Sequence, residues 1–102
     1  MVTAAKTGLL GLIRAIAAEM APYNVRANMV NPGATDTTRA HPEWYPEFSE
    51  IPRGSDEHLK SIPMNRQGTV QDIASACLFF ASDESSYITG DRLNVMGGRY
   101  II

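Results

Sequence analysis

The first stretch of the chain, residues 2 to 21, is apolar or small at nearly every position. Leu9, Leu10, Leu12, Ile13, Ile16, Ala17 and Met20 lie on one side of a 3.6-residue repeat, with Ala4, Ala5, Gly8, Gly11, Ala15 and Ala18 elsewhere. That pattern predicts a helix buried on more than one face. Pro22 ends it, because proline lacks the N–H that would continue the ladder. Gly8 and Gly11 each cost about 1 kcal/mol of helix propensity relative to alanine, so close approach of another backbone is the expected compensation.

The rhythm then changes. Residues 24 to 30, "NVRANMV", are short and bounded by Pro22-Tyr23 and Asn31-Pro32-Gly33, the punctuation of a strand. Residues 31 to 69 hold five of the six prolines together with Trp44, Tyr45 and Phe48, and a connection of that length is usually functional or disordered. Within it "SDEHLKSI" predicts a short helix, with Ser55 as N-cap and two acids in the first turn. "TVQDIASACLFFAS" predicts a longer one: Thr69 and Asp72 form a capping box, and Ile73, Ala76, Cys77, Phe80 and Ala81 share a face. Gly90 turns the chain into a strand over about residues 91 to 96, closed by Gly97-Gly98. The order is helix, strand, long loop with a short helix, helix, strand. This is an α/β arrangement whose two strands run parallel.

Composition narrows the function classes. A chain of 102 residues with 44% hydrophobic content suits one domain with one small core. Nine Lys+Arg against eleven Asp+Glu give a net charge of -2, without the basic stripe of a nucleic-acid binder. Arg14 and Glu19 interrupt the first apolar run, so it makes neither a signal peptide nor a bilayer span. The single cysteine, Cys77, reads as a small core residue in a reducing, cytoplasmic compartment. His41 and His58 lack partners at metal-ligand spacing, so no metal site is expected.

Taken together, "AAKTGLLGLIRAIAAEMAPYNVRANMVNPGATDT" and "RQGTVQDIASACLFFASDESSYITGDRLNVMGG" resemble the C-terminal part of a short-chain dehydrogenase/reductase of the 3-oxoacyl-ACP-reductase-like type. The resemblance covers nearly the whole chain and implies the C-terminal portion of a Rossmann-type, doubly wound parallel sheet, a single partial domain over residues 1–102 with its substrate loop at 31–69. It also implies an NAD- or NADP-dependent oxidoreductase acting on a carbonyl or hydroxyl group.

By that resemblance Lys6 is the lysine of a tyrosine/lysine pair spaced one helical turn apart, in which an ammonium favours the ionised phenol. Val2 occupies the tyrosine position and can neither donate nor accept a proton, so Lys6 is vestigial as a catalytic residue. Read without the family, Lys6 is a solvated helix lysine. Pro32, Gly33, Thr35 and Thr37 fall in the loop that touches the nicotinamide: the Thr35 backbone would contact the carboxamide and the Thr37 hydroxyl a cofactor oxygen. Read alone they form a turn. Trp44, Tyr45 and Phe48 fall in the variable substrate loop, where they line an apolar pocket or seal the core beneath it. Met96 stands where many members carry aspartate.

The sequence contains no glycine-rich phosphate loop after a strand, since Gly8 and Gly11 lie inside a helix. The expectation is therefore that the chain alone binds no NAD or NADP and is inactive. Activity would belong to a larger parent, supplied for example by a complementary N-terminal half. The alternative is a non-catalytic oligomerisation module derived from the family, whose corresponding helix packs in a four-helix bundle between subunits. Both readings predict a partner, a homo-oligomer or the complementary half, and neither involves nucleic acid or membrane.

Overall fold

The computed structural model describes residues 2–37 and 55–99. Helix α1 runs Val2–Met20, as the apolar run predicts. Pro22 opens a 3-10 turn over Ala21–Tyr23, where its missing N–H would have had no helical partner. Asn24 closes that turn in the left-handed region (φ 58°), its N–H bonded to the Ala21 carbonyl. This is one of the few conformations outside glycine that asparagine tolerates.

The first strand begins later than its sequence signal. β1 covers Met29–Pro32 rather than residues 24 to 30. The residues ahead of it are committed to the loop that precedes the second strand. Ala27 accepts from the Gly90 N–H (2.7 Å) and donates to Thr89 Oγ1 (3.1 Å), while Asn28 bonds the Ile88 carbonyl and the Asp91 N–H. Arg26 reaches Ser85 Oγ (2.9 Å) and the Ser82 and Ile88 carbonyls. Polar side chains at 26 and 28 thus compete with the ladder, which starts only where Met29 N–H meets the Asp91 carbonyl (2.9 Å).

Helix α2 spans Asp56–Lys60, capped as expected by Ser55, whose side chain accepts from the His58 N–H. Helix α3 spans Val70–Ala81 and carries the complete Thr69/Asp72 capping box. Strand β2 spans Arg92–Val95 and lies parallel to β1, with Met29 opposite Arg92 and Pro32 opposite Val95. Helix α3 is therefore the crossover of a βαβ unit. Odd-numbered residues of β1 bond β2, as the Met29 and Gly33 N–H groups do, so Pro32 turns its donor-less nitrogen to the unpaired edge.

The core is thin. Among the described residues only Ala17, Met29, Ile62 and Met96 are buried apolar side chains. Leu9, Leu12, Ile16 and Met20 of α1 are 36% to 56% exposed. Cys77 is exposed rather than a core residue, and α3 buries no side chain completely. Its expected inner face divides, with Ile73, Ala76 and Phe80 half-buried and Ala81 exposed beside Cys77. A two-stranded sheet with four residues per strand is too narrow to cover a helix of 12 residues. Among the described residues the backbone approach expected at Gly8 and Gly11 is not made, since a Cβ at either would meet nothing within 4 Å. Among the described residues no helix is long and apolar enough to cross a membrane.

Candidate functional site

The best-defined constellation forms where the two parallel strands end, the side of an open α/β sheet on which ligands bind. Asn31, only 5% exposed, donates from Nδ2 to Oδ1 of Asn94, its register partner, at 3.1 Å. Two residues on, the Gly33 N–H bonds the Val95 carbonyl at 2.9 Å. A Cβ at Gly33 would lie 2.9 Å from Met96 Cα, so the strand ends can approach this closely only with glycine there.

The loop beyond is held from a distant part of the sequence. Gly68 N–H donates to the Ala34 carbonyl and Asp36 N–H donates to the Gly68 carbonyl, both at 2.8 Å. These two bonds make a parallel bridge between Thr35 and Gly68. In such a bridge the N–H and C=O of one partner point away from the other strand. Thr35 is that partner, so its own N–H and C=O face out of the bridge as an adjacent donor and acceptor. Its hydroxyl bonds the Gly33 carbonyl (3.0 Å) and tightens the turn.

Gly68 is fixed in turn by the cap of α3. Asp72 Oδ2 accepts from the Thr69 N–H (2.8 Å) and from Arg66 Nη1 (2.9 Å), and Arg66 also bonds the Gln67 carbonyl. The Thr69 backbone bond, followed by the Arg66 guanidinium, lowers the Asp72 carboxyl from the ordinary 3.8 to about 2, so it is fully ionised at neutral pH. Beside this loop lies a depression of about 590 Å³, lined among others by Arg66, Gly68, Asn94, Met96 and Arg99.

The residues singled out from the sequence divide into three groups. Pro32, Gly33, Thr35 and Thr37 come together in this loop. Lys6 stands on an exposed face of α1 and makes no hydrogen bond or ion pair among the described residues. Val2 opens α1, and Trp44, Tyr45, Phe48 and His41 lie outside the described residues. Among the described residues no three His, Cys, Asp or Glu side chains are grouped to hold a metal ion. The Asn31–Asn94 pair and the Arg66–Asp72–Gly68 support were not read from the sequence. The one hint was that Gly68 directly precedes a capping threonine.

The cofactor that the resemblance implies, a nicotinamide dinucleotide, would meet this loop at its carboxamide end. The outward donor and acceptor of Thr35 match a carboxamide. Among the described residues Gly8 and Gly11 sit within α1, and Gly68, directly before the N-cap of α3, gives its N–H and carbonyl to Ala34 and Asp36.

A parallel βαβ unit whose strands end in a braced loop defines a Rossmann-like α/β protein. The family model described as enoyl-(acyl carrier protein) reductase matches residues 1–99. The chain is 44% identical over 101 residues to the 3-oxoacyl-[acyl-carrier-protein] reductase FabG of Salmonella typhimurium, covering 97% of this chain and 38% of that protein. It is 50% identical over 93 residues to the short-chain dehydrogenase/reductase SDRA of Arabidopsis thaliana, covering 91% and 34%. The crystal structure of YwfH, an NADPH-dependent reductase involved in bacilysin biosynthesis, superposes with a TM-score of 0.78 at 31% identity, over 92% of this chain and 37% of that one. The chain belongs to the short-chain dehydrogenase/reductase family, in its 3-oxoacyl-ACP-reductase-like group. It spans little more than a third of the length of these relatives.

Proposed function

We propose that the chain supplies the nicotinamide loop and closing strand of an NAD(P)H-dependent carbonyl reductase, and that cofactor binding requires the upstream half of the family's fold. The observation that carries this reading is Thr35. Its backbone donor and acceptor face out of the bridge to Gly68 at the strand ends, the pair a carboxamide requires, while the described residues offer the phosphates no cradle. Thr37 stands beside it to bond a further cofactor oxygen. Lys6 remains as a cation without the phenol it would assist, because Val2 is the residue four positions earlier. We place the chain in the cytoplasm, on the grounds of its single thiol.

A second reading, a non-catalytic module that assembles with copies of itself, is favoured by the uncovered stripe Leu9, Leu12, Ile16 and Met20. One experiment separates the two. The chain is co-expressed with the N-terminal half of a 3-oxoacyl-ACP-reductase-like relative, cut before its catalytic tyrosine, and NADPH binding is followed by fluorescence. The first reading expects saturable binding by the mixture, with turnover appearing only when Val2→Tyr is also introduced. A stable homo-oligomer that ignores the added half and leaves NADPH unbound favours the second.

A further inference from the structure

We infer that Arg66 is a positioning residue for the loop at 33–37, acting through Asp72 and the Gly68 backbone. The inference rests on the reading of that loop as the nicotinamide end of the site. Among the described residues, the Arg66 side chain makes no hydrogen bond to the loop itself. Its guanidinium clamps Asp72 Oδ2 at 2.9 Å and the Gln67 carbonyl at 2.9 Å, which fixes residues 66 to 69 against the first turn of α3. The same carboxylate oxygen takes the Thr69 N–H, so the turn is pinned on both sides of Gly68.

Gly68 then presents its N–H to Ala34 and its carbonyl to Asp36, the two bonds that bracket Thr35. A Cβ built on Gly68 would lie 3.6 Å from the Ala34 carbonyl oxygen, 3.8 Å from Thr35 Oγ1 and 3.9 Å from Asp72 Oδ2, so the loop and the carboxylate both border the space beside this glycine. The direction of the Thr35 donor and acceptor is thus set by a cap far along the sequence.

Energetics separate this role from one in global stability. The Arg66 and Asp72 side chains are 51% and 36% exposed, and ion pairs that open to solvent contribute little to folding. Loss of the pair should loosen the turn locally and leave the strand ladder intact. Local opening of this kind is read residue by residue in amide hydrogen exchange.

The test is amide exchange by NMR on the ¹⁵N-labelled full chain without cofactor, so that it stands or falls independently of NADPH binding. Arg66→Ala is expected to raise the exchange rates of the Asp36 and Gly68 amides about tenfold, a local loss of about 1.4 kcal/mol of protection. The Met29 and Gly33 amides, bonded to β2 and its lead-in, should change by less than about twofold. Asp72→Asn should reproduce the pattern in a variant that keeps an acceptor for the Thr69 N–H, and Arg66→Lys should recover most of the protection. Unchanged Asp36 and Gly68 exchange in Arg66→Ala and Asp72→Asn would overturn the inference. So would equal acceleration of all four amides in both variants, which would mark Arg66 as a general structural residue.

Discussion

Gly33 shows how a single position governs the meeting of the two strands. An alanine Cβ would stand 2.9 Å from a backbone atom of Met96, which cannot rotate away as a side chain would. Gly33→Ala should destabilise the chain by roughly 1–3 kcal/mol, visible as a lowered urea midpoint, whereas an unchanged midpoint would mean that the strand ends are not held this close. Gly33 was legible in the sequence as part of a turn, and its tight packing was not, because the neighbour it excludes lies 63 residues on. The same distance hid Asn31–Asn94, and a shorter separation, from Thr35 to Gly68, hid the glycine's role, since these roles exist only once β2 and the α3 cap are in place. Cys77 was misread for a related reason. Helical spacing gives the face a residue shares, and cannot give whether enough sheet exists to cover that face.

Among the elements, helices were read closely and strands less so. The starts of α2 and α3 were legible from Ser55 and from Thr69 with Asp72, since a cap is a local bond between near neighbours. The start of β1 was not, because Arg26 and Asn28 resemble ordinary strand residues until the loop at 82–91 offers them partners. Helix α1 matches its predicted span, and its glycines now provide a measurement. With open space around both, Gly8→Ala and Gly11→Ala should each stabilise an uncovered helix by about 1 kcal/mol. If a second backbone packs there in an assembly, the same changes should instead dissociate it on size exclusion with light scattering. Leu12→Glu, at a position 56% exposed in the single chain, should leave a true monomer unaffected and break or unfold an assembly.

At the scale of the whole molecule, the described residues bury four apolar side chains, pair each strand along one edge and leave the apolar stripe of α1 exposed. At this scale the sequence was most informative. The order of elements and the motifs placed the chain in its family, and the absence of a phosphate-loop motif from the sequence is the ground for the proposal that cofactor binding needs a further half. Cofactor binding by the chain alone therefore tests the account most directly. The purified 102-residue chain, checked for helical content by circular dichroism, is titrated with NADPH while nicotinamide fluorescence is followed. No saturable change is expected up to about 100 μM, a bound of about -5.5 kcal/mol on the binding free energy. A 1:1 complex with a Kd near 1 μM, about -8 kcal/mol, would contradict it.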